Sequence, residues 1–319
     1  MFAARLPIAA VMLAAAMLGG ACAAASGSDP AGGGNANPLS DAGGPLPGEP
    51  DAAVTPDAGG AMFDSNPGDS SGPSPSNGCA SGAGLVYVLG KTHELYSFDP
   101  STLQLQKVGM VDCPQSGGTA TPFSMAVDRQ AVAWVLYNDG HLYNVDINSG
   151  TCKATSFQPN QNGYKTFGMG FVSDAPGSQE ETLYVANEFG IASIDTATFE
   201  LTPASGTFGF SAAAELTGTG DARLFGLFYG FPPYISEIDK TSSAVLNEMP
   251  LDTVDIGTGF AYAFWGGDFW IFTAPNGTSS QIDQFHPGSG TTTTVAVPDV
   301  GFKIVGAGVS TCAPITLPK

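Results

Sequence analysis

LYSFDPST (95–102), LYNVDINSG (142–150), IASIDTAT (191–198), ISEIDKTSS (235–243) and IDQFHPGSG (282–290) are five copies of one unit. Their aligned position holds Asp99, Asp146, Asp195, Asp239 and finally His286, at intervals of 47, 49, 44 and 47 residues. Each copy runs from alternating, β-prone residues into an Asp followed by small or turn-forming residues, which reads as strand, tight turn and return strand. An Asp carboxylate caps such a turn by accepting backbone N–H groups two residues ahead. The repeated carboxylates are therefore read as structural, not catalytic.

Working outward, every copy is preceded by a strand led by one large ring: Tyr87-Val88-Leu89, Trp134-Val135-Leu136, Tyr184-Val185-Ala186, Phe225-Gly226-Leu227 and Trp270-Ile271-Phe272. One ring per repeat predicts packing between neighbouring sheets. Further upstream lie segments rich in small residues: SMAVD from Ser124, GMGFVSD from Gly168, AAAELTGTG from Ala212 and AYAFWGG from Ala261. Small side chains suit the crowded innermost strand around an axis. A period of 44 to 49 residues with four short strands predicts an all-β fold, a β-propeller with one blade per repeat.

The first repeat starts directly on its aromatic strand at Leu85 and lacks an inner strand, whereas near the C-terminus Val305-Gly306-Ala307-Gly308-Val309-Ser310 reads as an inner strand with no outer strands after it. Joining the two pieces gives a five-bladed β-propeller closed by the C-terminal strand. Closure brings Cys312 beside Cys79, so a Cys79–Cys312 disulfide is expected to latch the ring. By elimination Cys113 pairs with Cys152.

The aromatic strand, the Asp turn and the terminal Val-Gly-Ala-Gly-Val-Ser-Thr-Cys resemble the YVTN/WD40-like and kelch-like propellers of bacterial exported proteins. The chain looks closest to secreted propeller lipoproteins of myxobacteria that carry no assigned function. The resemblance covers about residues 79–319 and implies a fold without implying an activity. The Gly-His and Trp-Asp signatures of true WD40 repeats are absent.

The N-terminus has a different character. Residues 1–25 carry a single charge, Arg5, then an apolar run from Leu6 to Leu18 and a tail of small residues, the layout of a secretory signal and too short to span a bilayer comfortably. Leu18-Gly19-Gly20-Ala21-Cys22 is lipobox-like, so residues 1–22 are read as a signal peptide and Cys22 as the lipidation site. The leucine stands one position too far from the cysteine, and cleavage after Ala23 or Ala25 is the alternative. The expected location is the outer membrane or cell surface as a lipoprotein, or else the periplasm or medium. Residues 23–78 are mostly Gly, Pro, Ser, Ala and Asp, with Met62 and Phe63 the conspicuous large apolar exceptions, and hold not one Lys or Arg. Such a segment cannot bury enough apolar surface to offset its ordering entropy and is read as a disordered tether reaching about 40 Å. Cys79, Cys113, Cys152 and Cys312 then form an even set in an oxidising compartment, which favours two disulfides over metal ligation.

Composition excludes some functions. The chain has 319 residues, 12% of them charged, with 29 Asp and Glu against 10 Lys and Arg and a net charge of −19. A phosphate backbone would be repelled over most of the surface, so no nucleic-acid partner is expected.

Candidate chemistry is sparse. His93 and His141 fall in corresponding hairpins of adjacent blades, GKTHE and YNDGH. Within residues 79–319, which hold all three histidines, no Gly-x-Ser-x-Gly elbow occurs. Asp128, Asp174 and Glu215 stand at or near the ends of inner strands in successive blades and are the candidate ligands for a hard cation such as calcium. Tyr137, His141, Phe231 and Tyr234 are the candidates for a ligand platform on the hairpin face, suited to a sugar or an apolar peptide. Loops composed mostly of Gly, Ser, Thr, Asn and Pro favour a noncatalytic module at the cell envelope that binds a protein or glycan. The alternatives are a propeller enzyme of lactonase, lyase or quinoprotein type, and a purely structural surface protein.

Overall fold

The computed structural model describes residues 78–114 and 118–318. The expected leader, the Cys22 lipidation site and nearly all of the tether lie outside the described residues.

The repeat folds as five four-stranded antiparallel sheets. Blade one contains β1 (Val86–Gly90), β2 (Glu94–Asp99) and β3 (Gln104–Met110). Blade two contains β4 (Pro122–Val127), β5 (Val132–Tyr137), β6 (Leu142–Asp146) and β7 (Cys152–Ala154). Blade three is built from β8 (Gly168–Ser173), β9 (Glu181–Ala186), β10 (Ile191–Ile194) and β11 (Leu201–Pro203). Blade four is built from β12 (Ala214–Gly218), β13 (Leu224–Phe228), β14 (Tyr234–Ile238) and β15 (Val245–Pro250). β16 (Phe260–Trp265), β17 (Asp268–Thr273), β18 (Gln281–His286) and β19 (Thr291–Val297) make blade five. The last strand, β20 (Ile304–Val309), returns to blade one and pairs with β1 from Val86↔Val309 to Gly90↔Ile304. The C-terminal strand therefore closes a five-bladed β-propeller, because the first sheet has no other inner strand to satisfy the inner edge of β1.

The turn aspartates act as their spacing predicts. Asp99 Oδ1 accepts from Ser101 N at 2.9 Å, Asp146 Oδ1 from Asn148 N at 2.8 Å, Asp195 Oδ1 from Ala197 N at 2.8 Å and Asp239 Oδ1 from Thr241 N at 3.1 Å. Hydrogen bonds from the turns hold all four carboxyls below the usual aspartate range. In blade five the carboxylate is missing and the backbone carbonyl of His286 accepts from Ser289 N and Gly290 N, as the carbonyls of Asp146, Asp195 and Asp239 accept from Gly150 N, Phe199 N and Ser243 N, while the imidazole pairs with Asp268 at 3.0 Å.

The leading rings pack between blades. Trp134 meets Phe171 of blade three edge-on with centroids 5.9 Å apart, Phe225 meets Phe269 of blade five at 5.0 Å, and Trp270 meets Phe98 of blade one at 5.4 Å. Five buried apolar clusters result, one at each junction between neighbouring blades. The core is thus distributed around the ring, as a repeat fold that buries the face of each sheet against its neighbour requires.

Inner strands converge closely on the axis. A Cβ at Gly168 would lie 2.2 Å from the Ala214 carbonyl oxygen, and one at Gly218 would lie 2.2 Å from that of Phe171. The small residues of this strand are required by the approach of neighbouring backbones.

Two disulfides are present. Cys79–Cys312 joins the segment before β1 to the segment after β20, with Cα atoms 6.0 Å apart across 233 residues of sequence. Cys113–Cys152 spans 39 residues with Cα atoms 5.0 Å apart and ties the chain after β3 to β7 of the next blade. Two such bonds suit a protein of the extracellular or periplasmic space. Among the described residues no helix is long and apolar enough to cross a membrane.

Candidate functional site

The hairpins between the second and third strands of the blades, and the segments that lead into the inner strands, meet at one end of the axis. They enclose a funnel of about 850 Å³ to which all five blades contribute. Its wall includes Lys91, Asn138, Asn187, Phe189 and Tyr229 from hairpins, and Phe123, Lys165, Ala213, Thr258 and Lys303 at or just before inner strands. Glu215 and Phe260, near the starts of β12 and β16, form part of its lining.

Local chemistry fixes this wall. Asn138 Oδ1 accepts from Thr121 N at 3.1 Å, and Asn138 N donates back to the Thr121 carbonyl at 3.0 Å, binding a hairpin to the neighbouring inter-blade segment. Asn187 Oδ1 caps its own hairpin by accepting from Phe189 N at 2.9 Å and Gly190 N at 3.1 Å, which holds the Phe189 ring outward. Gly257 adopts φ +63° where a Cβ would lie 2.1 Å from the Ala274 carbonyl oxygen, so only glycine fits the turn that presents Thr258.

The charge balance of the chain is reversed in the funnel, where the lining holds three lysines against two carboxyls, Glu188 and Glu215. Lys91, Lys165 and Lys303 all line it, in a protein of net charge −19. Among the described residues none of the three forms an ion pair. Lys303 Nζ donates to the Thr258 carbonyl at 2.8 Å and to Thr258 Oγ1 at 2.7 Å, which fixes the ammonium on the wall. Partial burial, followed by the like charge of Lys91, lowers the Lys303 pKa from its ordinary value. At the base, Glu215 Oε2 accepts from Ser124 Oγ at 2.8 Å. Burial pushes the Glu215 carboxyl well above the usual range, with the Ser124 hydrogen bond opposing it.

The residues singled out in the sequence are dispersed. Tyr137 is fully buried between blades one and two, its hydroxyl 3.1 Å from His93 Nδ1. Tyr234 is half-buried and stacks on Phe228 at 5.1 Å. His141 pairs with Asp139 at 3.0 Å. Phe231, which follows Gly230 and forms a cis bond to Pro232, is 92% exposed and packs edge-on against Tyr229 at 5.6 Å. The four do not share one platform: the buried side of β5 claims Tyr137, and ring stacking claims Tyr234.

The three carboxylates do not converge either. Asp128 follows the end of β4 and is buried, accepting from Val132 N at 2.8 Å and Trp134 Nε1 at 3.0 Å. Asp174 follows the end of β8, exposed, and accepts from Thr182 Oγ1 at 2.7 Å. Glu215 is the second residue of β12 and so belongs to the opposite end of the inner strands. Among the described residues no group of three His, Cys, Asp or Glu is placed to hold a metal ion. The expected calcium set is corrected on that geometry: inner strands run in the same sense around the ring, so residues at their starts and at their ends lie at opposite ends of the axis.

A separate polar plug occupies the end of the axis away from the funnel. Glu181 accepts from Arg129 N at 2.7 Å and from Thr311 Oγ1 at 2.7 Å, while Arg129 Nη1 donates to Thr311 Oγ1 at 3.0 Å. Arg129 Nη2 also reaches Cys79 Sγ at 3.4 Å, so the plug abuts the latch disulfide. Burial raises the Glu181 pKa to about 7.

Neither the lysines nor this plug was recognised from the sequence. The available signal for the lysines was positional: Lys165 and Lys303 both lie shortly before inner strands, and Lys91 lies in a hairpin of the same face.

Fold and site together define a five-bladed β-propeller with a lysine- and aromatic-lined funnel on its loop face. No family model matches the chain, and no curated protein matches it. Among solved structures it is similar to the extracellular domain of a hybrid two-component system from B. thetaiotaomicron, at 13% identity and a TM-score of 0.37, over 66% of this chain and 26% of that one. It is also similar to a chain of the mitotic checkpoint complex, at 13% identity and a TM-score of 0.36, over 67% of this chain and 62% of that one. The chain thus spans under two thirds of the length of both.

Proposed function

We propose that this protein is a noncatalytic binding module of the cell envelope that takes its ligand in the axial funnel. One observation carries the reading: all five blades contribute wall to a single open cavity of about 850 Å³, within the size range of small-molecule and cofactor sites. Among the described residues no histidine lines that cavity. Its polar groups are of the kind that orient a ligand, placed on a rigid ring that holds variable loops.

Around this module, the reading includes export by the leader at residues 1–22, a lipid anchor on Cys22 and a tether of residues 23–78 that displays the propeller away from the membrane. Envelope proteins and glycans are the partners proposed for the funnel.

The test is paired capture from envelope extract with the full chain and with Ala213→Trp, which fills the funnel from an exposed wall position. A partner or glycan retained by the parent and lost by the variant supports the reading. Equal recovery by both, or recovery of nothing by the parent, refutes it. For the anchor, incorporation of a lipid precursor should disappear in Cys22→Ala.

A further inference from the structure

We infer that the funnel selects an acidic saccharide, a ligand of sugar rings bearing anionic groups. This deepens the proposed binding role and rests on it. The first support is the distribution of charge. Eight cationic side chains fall between residues 78 and 318, and the three that belong to loops of the funnel face, Lys91, Lys165 and Lys303, all line the cavity. Cations left without carboxylate partners in a strongly acidic protein keep their charge available to a ligand. A concave, low-dielectric wall focuses the resulting field and raises the local concentration of anions.

The second support is fixation. Two of the three donor positions of the Lys303 ammonium are used on Thr258, which leaves one directed elsewhere and little freedom to be lost when an anion is bound. Lys91 N donates to the Lys303 carbonyl at 2.8 Å, so these two cationic residues are held as backbone neighbours although they come from opposite ends of the propeller sequence. An anion between them would relieve like-charge repulsion.

The third support is the lining between the lysines. Phe123, Phe189 and Tyr229 are exposed aromatic rings on the wall, interleaved with Asn138, Asn187 and Thr258. Aromatic faces accept the apolar face of a pyranose, and side-chain amides and hydroxyls match its ring hydroxyls. A simple inorganic anion would leave the rings unused, and an apolar peptide would cover the Lys91 and Lys165 ammonium groups without offering them a partner, at a desolvation cost.

Titration calorimetry on the full chain with tri-galacturonate and its methyl ester tests the inference, because the ester keeps the rings and removes the charge. The acid is expected to bind about tenfold or more tightly than the ester, equivalent to about 1.4 kcal/mol or more. The advantage should shrink as salt is raised, and Lys91→Gln/Lys165→Gln should abolish it while leaving the fold intact by circular dichroism. A sulfated and a phosphorylated oligosaccharide form the parallel arms. Binding in any arm with the same lysine dependence supports the inference, and the tightest arm identifies the anion.

Equal affinity for acid and ester with no lysine-dependent binding in the sulfated or phosphorylated arm, or undiminished binding by the double variant, overturns it. Failure of every acidic saccharide also overturns it. If a ligand captured from extract is still lost in Ala213→Trp in that case, the binding role stands and only the ligand class falls.

Discussion

Ser124 Oγ donates to Glu215 Oε2 at 2.8 Å, joining inner strands of blades two and four whose residues are 91 positions apart. The contact is buried and forms part of the base of the funnel, so the carboxyl there is held in a low-dielectric setting that favours its neutral form. A carboxyl whose folded pKa is raised contributes stability that is complete below its unfolded value and is lost as pH rises through the folded value. Glu215→Gln keeps the shape and cannot ionise. It should match the parent in thermal melts at acidic pH and exceed it at alkaline pH. Ser124→Ala should cost about 1–3 kcal/mol by leaving a buried acceptor without its donor, measured by denaturant unfolding.

Glu181 gives a second window in pH. Its folded pKa of about 7 stands above the ordinary 4.5 because of burial, against hydrogen bonds from Thr311 and Arg129 and with the Asp128 charge adding to the rise. The associated stability is complete below pH 4.5 and is lost progressively as pH rises through about 7, amounting to about 3 kcal/mol at most. Glu181→Gln should flatten the stability curve across that interval. A variant that retains the full slope would place the titrating group elsewhere.

The two disulfides differ in the length of chain they close. In the chain-entropy model the 233-residue bridge contributes about 5 kcal/mol and the 39-residue bridge about 4 kcal/mol. Cys79→Ser/Cys312→Ser should therefore lower the melting temperature more than Cys113→Ser/Cys152→Ser. The former should also increase proteolytic release of the C-terminal strand, read by mass spectrometry.

Close approach at the axis predicts an asymmetry among glycines. Gly168→Ala would drive a methyl group against the Ala214 carbonyl and should cost about 1–3 kcal/mol, whereas Gly84→Ala meets nothing within 4 Å and should be near neutral. Urea unfolding of the two variants compares them directly.

Much of the architecture was legible because it repeats. A turn aspartate followed by small residues needs only local backbone geometry, so Asp99, Asp146, Asp195 and Asp239 announced their hairpins without any knowledge of the rest of the chain. The site was less legible. Tyr137 and Tyr234 looked available because they end or begin strands near hairpins, yet strand alternation turns the first into the junction between blades and the second onto Phe228. Glu215 was grouped with Asp128 and Asp174 by proximity to an inner strand, although it lies near the start of its strand and they lie just beyond the ends of theirs.

What the sequence by itself determined is the unit and its number: five strand-turn-strand copies, one leading ring per copy, an orphan inner strand at the C-terminus and cysteines that closure would bring together. Periodicity and turn chemistry act over a few residues and can be read along a line. Tertiary structure alone decided that Lys91, Lys165 and Lys303 would face one cavity, that Ser124 would meet Glu215, and that Arg129, Glu181 and Thr311 would close the far end. These residues come from different blades with no shared motif, and they become neighbours only because ring closure brings one end of every blade to the same axis.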